Sequence, residues 1–265
     1  MRSATFLSYI KDTKAVLIRT FLTVAILTSC FSHGDKEDVK KGKATFEQKL
    51  NKMSLAELDT TYAHICKNLD NNRKKLNVEY GKALTDDAKE NVLVKARSLL
   101  FTTLSDSVFI CWYGTNWDFN GITTTPRQGD IACGYFITTT LLQSGFLINR
   151  VFLAQQASSV LIKAFCPDDK IKTITNHKKD KVIEYLKTQP DGIFILGLDN
   201  HVGFVLKNGD SLDFVHSSFW PQHKVVRVPL ASSEIFNESG FFMMGELLYS
   251  DATMTKWIKG EKIGD

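Results

Sequence analysis

The chain has 265 residues, with 33 lysines and arginines against 29 aspartates and glutamates, a formal net charge of +4. So slight an excess gives no electrostatic case for a nucleic-acid partner, and the length suffices for a large domain with a real core. The five cysteines show no Cys-x-x-Cys spacing and there is no His-Glu-x-x-His, so no metal site, cofactor or disulfide framework is expected.

Arg2, Lys11, Lys14 and Arg19 precede a short apolar run from Phe21 to Leu27. That run is too short to span a bilayer and suits a secretory signal. Leu27-Thr28-Ser29-Cys30 resembles a bacterial lipobox. Residues 1–29 are therefore expected to be a lipoprotein signal peptide, with Cys30 the lipidated first residue of the mature chain. Without residues 1–29 the chain keeps 29 basic and 28 acidic side chains, close to neutral. Residues 30–44 are polar and charged and read as a tether to the membrane, which the lipid anchor would contact.

From Thr45 to about Leu104 the pattern is helical, and Ser54 with Glu57 makes a capping box. Thr85-Asp86-Asp87 opens a second helix. Residues 45–105 are expected to form a helical extension and residues 106–265 the catalytic domain. Phe109 to Trp117 is aromatic and β-rich, and Leu153–Phe165 and Lys178–Lys187 are expected helices. After the turn at Pro190-Asp191-Gly192 the period becomes strand-like. The runs Ile193–Leu198, Val202–Leu206, Leu212–Val215 and Val225–Val228 are short strands, with one more at Phe241–Tyr249 and a closing helix at Met254–Lys259. Helices followed by a meander of strands predict an α+β fold.

Cys133 stands where an apolar stripe begins: Phe136, Ile137, Thr140, Leu141 and Ser144 follow at helical spacing, and Gly145 supplies a stop. A thiol in the first turn of a helix meets unpaired N–H groups and the positive end of the dipole. Such a thiol is expected to ionise below its ordinary value of about 8.5, and the thiolate is the nucleophile. The alternative is a small core cysteine, the reading given to Cys66, Cys111 and Cys166.

Two histidines flank Asn208-Gly209, a strong hairpin signal. With those two residues as the turn, Lys207 pairs with Asp210 and His201 lies directly opposite His216. Opposed side chains leave one face with Cβ atoms about 4.5–5.5 Å apart, so one imidazole can orient the other. A nucleophilic thiol needs a base and a group that holds the base's tautomer. Cys133, His201 and His216 supply all three.

These segments resemble the NlpC-type cell-wall peptidases, a papain-like family. The resemblance is carried by Gly114–Gly121, Ala132-Cys133-Gly134-Tyr135, His201-Val202-Gly203-Phe204-Val205 and Val215-His216-Ser217-Ser218. It implies a Cys helix packed on an antiparallel sheet, with Cys133 as nucleophile, His201 as base and His216 as orienting residue. It also implies substrate contacts at Trp117 and Asp118 in the first segment and at Gly134; Gln128, in the loop before Cys133, is by its position a candidate donor to the oxyanion. Ala132 and Gly134 stand where the family has an acid and a serine. The expected function is an envelope-anchored thiol hydrolase cleaving an amide in peptidoglycan stem peptides or another peptide substrate. A papain-like acyltransferase or amidase, or an inactive lipoprotein that binds cell wall or a partner protein, are the alternatives.

Overall fold

The computed structural model describes residues 46–264. The expected signal peptide at 1–29, the expected lipidation site Cys30 and the expected tether at 30–44 lie outside the described residues. The chain divides into two compact units, Met1–Asn51 and Lys52–Asp265. Of the first, only a helical turn over residues 46–50 and the residue after it are described.

In the second unit, helix α1 (Leu55–Lys82) begins at the expected capping box. Ser54 Oγ accepts the Glu57 N–H at 3.3 Å, and Glu57 Oε2 accepts the Ser54 N–H at 2.8 Å. Helix α2 (Asp86–Thr103) is capped by Thr85 and runs through a π-helical turn (Leu104–Val108) into α3 (Phe109–Trp112). The opening of the aromatic run expected to be β-rich is thus helical. Phe109, Ile110, Cys111 and Trp112 are all buried, and a helix buried all round has no polar face to mark its period.

Helices α1 and α2 are not a separate extension, because Lys52–Asp265 is one compact unit. The indole N–H of Trp112 donates to Tyr62 Oη at 2.9 Å, and that hydroxyl donates to Gln143 Oε1 at 2.7 Å. Arg73 reaches the Ile258 carbonyl at 3.2 Å, and Arg97 reaches that of Leu248 at 3.1 Å. Both arginines sit on helices that sequence alone would leave free-standing.

Helix α4 (Cys133–Gln143) ends at Gly145, whose φ is +90°. The Phe146 N–H bonds to the Leu141 carbonyl and the Gly145 N–H to that of Leu142, a Schellman closure. The helix expected at 153–165 is two, α5 (Arg150–Ala154) and α6 (Ser158–Phe165). Asn149 caps the first by accepting the Phe152 N–H. Between them, residues 155–157 leave helical form, and this break forms one wall of the cleft described below.

Six antiparallel strands, β1 (Ile171–Thr175), β2 (Gly192–Gly197), β3 (Val202–Asn208), β4 (Ser211–Ser218), β5 (Lys224–Pro229) and β6 (Phe241–Glu246), form one sheet in the order β1-β6-β2-β3-β4-β5. The α+β class is as expected. The edge strand β1, largely exposed, carries no apolar alternation that would reveal it. Helix α7 (Lys179–Thr188) and α8 (Glu234–Glu238) contribute Val182, Leu186 and Phe236 to a core with Phe194, Val205, Phe214 and Phe242. Against the alternate strand residues pack Phe109 and Phe136, whose rings lie 4.8 and 6.0 Å from that of Phe204. Helix α9 (Asp251–Lys259) closes the chain.

The β3–β4 register differs from expectation by two residues. Asn208 pairs with Ser211, so Gly209 and Asp210 make the turn. Gly209 has φ +58° at the first central position, as a type II′ turn requires. Asp191 selects this register: its Oδ1 accepts the Gly209 N–H at 2.8 Å and the Lys207 ammonium at 3.0 Å. A shift of two preserves the face of every side chain. His201 and His216 therefore share a face as expected, but diagonally, and the register carried onward sets Gly203 opposite His216.

Candidate active site

Cys133 is the first residue of α4, and Ala132 before it is extended (φ −76°, ψ 160°) with no side-chain cap. The N–H groups of Cys133 and Gly134 are thus free of any cap and turn to the Cys133 sulfur. The approach to Cys133 is pinned on several sides. The Ile131 N–H donates to the Asn116 carbonyl and the Ala132 N–H to that of Gly121, each at 2.9 Å. Ser217 Oγ, from β4, donates to the Ile131 carbonyl at 2.6 Å.

Gly134 packs without room for a side chain, since a Cβ would fall 2.3 Å from the Ala154 carbonyl oxygen. That close approach of α5 gives a steric reason for glycine at this position. Helix α4 is buried more broadly than one stripe, with Thr138 and Thr139 inside as well as Phe136, Ile137, Thr140 and Leu141. Thr138 and Thr140 return their hydroxyls to the Gly134 and Phe136 carbonyls, and Thr139 Oγ1 accepts from Arg150. Their polar atoms are satisfied locally, which is what admits them to the interior.

The two histidines meet. His201 Nε2 lies 2.8 Å from His216 Nδ1, with the rings edge to face and their centroids 4.9 Å apart. Both are buried, at 3% and 1% exposure. Phe214 stacks on His216 at 4.2 Å, and Phe219 stands edge-on to His201 at 5.4 Å. Gly203 makes the contact possible: a Cβ there would lie 2.4 Å from Phe214 Cε2 and 2.8 Å from His216 Cβ. The outer nitrogens, His201 Nδ1 and His216 Nε2, have no hydrogen-bond partner.

Cys133 and His201 line one cleft of about 480 Å³, together with Gly134, Asn200, Val202 and the 156–159 stretch at the start of α6. The thiol accepts hydrogen bonds from the backbone of Val202, Gly134 and Cys133 itself, which favour thiolate, but burial outweighs them and pushes it up. This corrects the expected depression at the helix start. Burial also pushes His201 down to about 3. His216 is held well below its ordinary value by burial and then by His201. The site at rest is a neutral thiol with two neutral imidazoles.

The other expected substrate residues are placed differently. Gln128 is turned away, its amide held 2.8 Å from each carboxylate oxygen of Asp59 on α1. Asp118 is exposed and accepts the Asn120 N–H. Trp117 stands one ring removed, 6.0 Å from Phe219. Of the four, only Gly134 lines the cleft with Cys133. Phe214 and Phe219 escaped the sequence reading; the period-2 spacing of Phe214 from His216 was the available signal. Among the described residues no three His, Cys, Asp or Glu side chains cluster as a metal site would require.

No protein-family model, curated protein or solved structure matches this chain.

The neutral imidazoles fix a pH dependence. Unfolded, each binds a proton near 6.5, while the folded chain resists protonation to far lower pH. Below 6.5 the unfolded state thus binds more protons, and stability present above that value is lost as the pH falls toward the folded values. For His201 the loss at pH 5 is about 2 kcal/mol. Urea midpoints at pH 7.5 and 5 should separate in the wild type and separate less in His201→Gln, where His216 alone remains; an equal separation in both would contradict the burial account.

Proposed function

We propose that the protein is a thiol hydrolase of the papain-like, NlpC-type class, cleaving an amide with Cys133 as nucleophile, His201 as base and His216 as orienting residue. The observation that carries this reading is the buried 2.8 Å bond between His201 Nε2 and His216 Nδ1, on a histidine that shares its cleft with the helix-leading Cys133. If His201 donates from Nε2, its Nδ1 keeps a lone pair for the thiol. A base with its tautomer fixed from behind is the arrangement that nucleophilic catalysis requires.

The steps follow from the neutral resting state. As Sγ attacks the amide carbon, its proton passes to His201 Nδ1, so charge appears only along the reaction path. The carbonyl oxygen gains negative charge at the start of α4, where the Cys133 and Gly134 N–H groups, which leave the sulfur as it bonds to carbon, become its donors. The C–N bond breaks as Nδ1–H protonates the leaving amine, leaving a thioester on Cys133. Water then attacks the thioester carbon, gives its proton to Nδ1, and Sγ departs and is reprotonated. His216 Nδ1 supports the transient imidazolium throughout.

The substrate class we propose is a peptide, with peptidoglycan stem peptides first, and the setting is the bacterial envelope with the chain anchored through lipidated Cys30. The support for the setting is Leu27-Thr28-Ser29-Cys30 directly after the apolar run. Metabolic labelling with a fatty-acid analogue should mark the wild type and leave Cys30→Ser dark; equal labelling of both contradicts the anchor.

A second reading, an inactive groove that binds cell wall or a partner protein, is favoured by one observation. His201 Nδ1 bonds to no group, the Cys133 thiol included, and both are held neutral by burial. A thiol-alkylating probe separates the two: a catalytic Cys133 reacts faster than Cys66, and an inert one does not.

Activity on purified peptidoglycan, with products identified by mass spectrometry, should rank the variants. Cys133→Ala leaves background turnover and His201→Ala is nearly as damaging. His216→Ala is milder, because a thiol and an unoriented base remain. In a serine-protease triad the corresponding losses are about 10⁶ for nucleophile or base and roughly 10⁴ for the third member. Full turnover in Cys133→Ala would end the mechanism, whereas full turnover in His216→Ala would remove only the orienting role.

A further inference from the structure

Large apolar side chains stand exposed in the span that surrounds α4 and α5: Phe119, Ile122, Leu142, Leu147, Val151 and Phe152, with Phe119 at 79% and Ile122 at 59%. Arg150, the first residue of α5, ties their segments together. Its Nη2 donates to the Ile122 carbonyl at 2.7 Å and to that of Thr123 at 3.2 Å, and its Nε to Thr139 Oγ1 at 2.7 Å. Val151 and Phe152 follow it on α5. Leu142 lies one turn beyond Thr139 on the same face of α4, and Gln143 beside it donates to the Thr124 carbonyl at 2.9 Å. Leu147 sits in the turn between the two helices. Singly scattered apolar residues would need no explanation, but a contiguous face marks a contact.

Two further features bear on what covers this face. From Ile131 to Pro167 the chain has no aspartate or glutamate, although it has 29 in all. The backbone here is also answered by protein rather than by water. Arg150 serves the Ile122 and Thr123 carbonyls, and at the Phe119 tip Asp118 accepts the Asn120 N–H at 2.8 Å and the Gly121 N–H at 3.0 Å. Polar backbone satisfied from within is what a lipid environment demands.

We propose that this face is the domain's contact with the lipid bilayer, its apolar side chains entering the headgroup and acyl boundary to a depth of about 5–10 Å. The proposal rests on the envelope reading for the presence of a bilayer and adds an orientation to it. Where the chain enters the domain supports the choice of side. The second unit begins at Lys52, and the first turns of α1 lie against the same 122–128 segment and the end of α4. Tyr62 Oη donates to Gln143 Oε1 at 2.7 Å, and the Gln128 amide reaches the Asp59 carboxylate at 2.8 Å. Residues 30–45 can span at most roughly 50 Å, so a lipid on Cys30 brings the domain to the bilayer without fixing its attitude. The apolar face fixes it. Helix α5 serves both sites, since Ala154 lines the cleft of Cys133. The contact therefore holds that cleft on the order of one helix diameter, ~10 Å, from the lipid.

The test places the full chain, as cells process it, on vesicles of phosphatidylethanolamine and phosphatidylglycerol doped with a phosphatidylethanolamine carrying a diazirine on its acyl chain. After irradiation and proteolysis, lipid adducts are mapped by mass spectrometry. They should fall on peptides covering 119–122 and 142–152 at least fivefold more often than on those of β1 and α7. Ile122→Ser with Phe152→Ser should lower them at least threefold and leave thermal melting unchanged, because both side chains are exposed. An even spread, adducts confined to residues before Lys52, or none at all overturns the contact. In the last case a dimer in sedimentation, lost in the double variant, would give the face to a second copy. The two readings fail separately. Adducts at 119–152 on a chain whose Cys30 takes up no fatty acid remove the anchor and leave the contact. A labelled Cys30 without those adducts removes the contact alone.

Discussion

Two imidazoles 2.8 Å apart in the interior of a sheet are the constraint on which the site depends. Each gives up water on burial, and a buried polar group is costly unless a partner answers it. Their mutual bond answers one nitrogen of each ring. The surroundings are arranged to keep it: Phe214 fixes the plane of His216, and Gly203 leaves the space through which the rings meet. Asp191, at the far end of the hairpin, holds the register that brings them together. The remaining nitrogens, His201 Nδ1 and His216 Nε2, go unanswered at a cost in stability.

At the other element of the site, two electrostatic effects oppose each other. A helix N-terminus favours an anion by about 0.3–1 kcal/mol, up to roughly 2 when partly buried. Desolvating a charge in a protein interior costs several kcal/mol. The second wins at Cys133, in spite of three backbone donors to the thiol. The chemistry proposed here therefore moves a proton during attack and needs no thiolate–imidazolium pair beforehand. Positioning carries the weight, through the bonds from Asn116, Gly121 and Ser217 that set the start of α4.

Much of this was legible because local signals and tertiary structure agreed. The Ser54–Glu57 box, the Gly145 stop, the α4 stripe and strands β2 to β5 all announce themselves by period or punctuation. So does the shared face of His201 and His216, since side-chain parity survives a two-residue slip. The slip itself was hidden, because the choice between Asn208-Gly209 and Gly209-Asp210 as the turn was made by Asp191, some 18 residues upstream. Phe109–Trp112 misled for a related reason, as a segment buried on every side loses the polar positions that mark a helix. Gln128 was assigned from its place in the chain, and only tertiary structure brings Asp59 to it. The ionisation of Cys133 was misjudged because a sequence shows where a helix begins but not how much of its first turn is buried.

The central claim is that His201 is a neutral base with its proton on Nε2, pointed at His216, and a lone pair on Nδ1. Nitrogen-15 spectra of imidazole-labelled protein, taken from pH 7.5 down to 5, test this directly. The account predicts a protonated Nε2 and a bare Nδ1 on His201 throughout that range, with the signature lost in His216→Ala. A proton on Nδ1, or conversion of His201 to the imidazolium near its ordinary value, would contradict it.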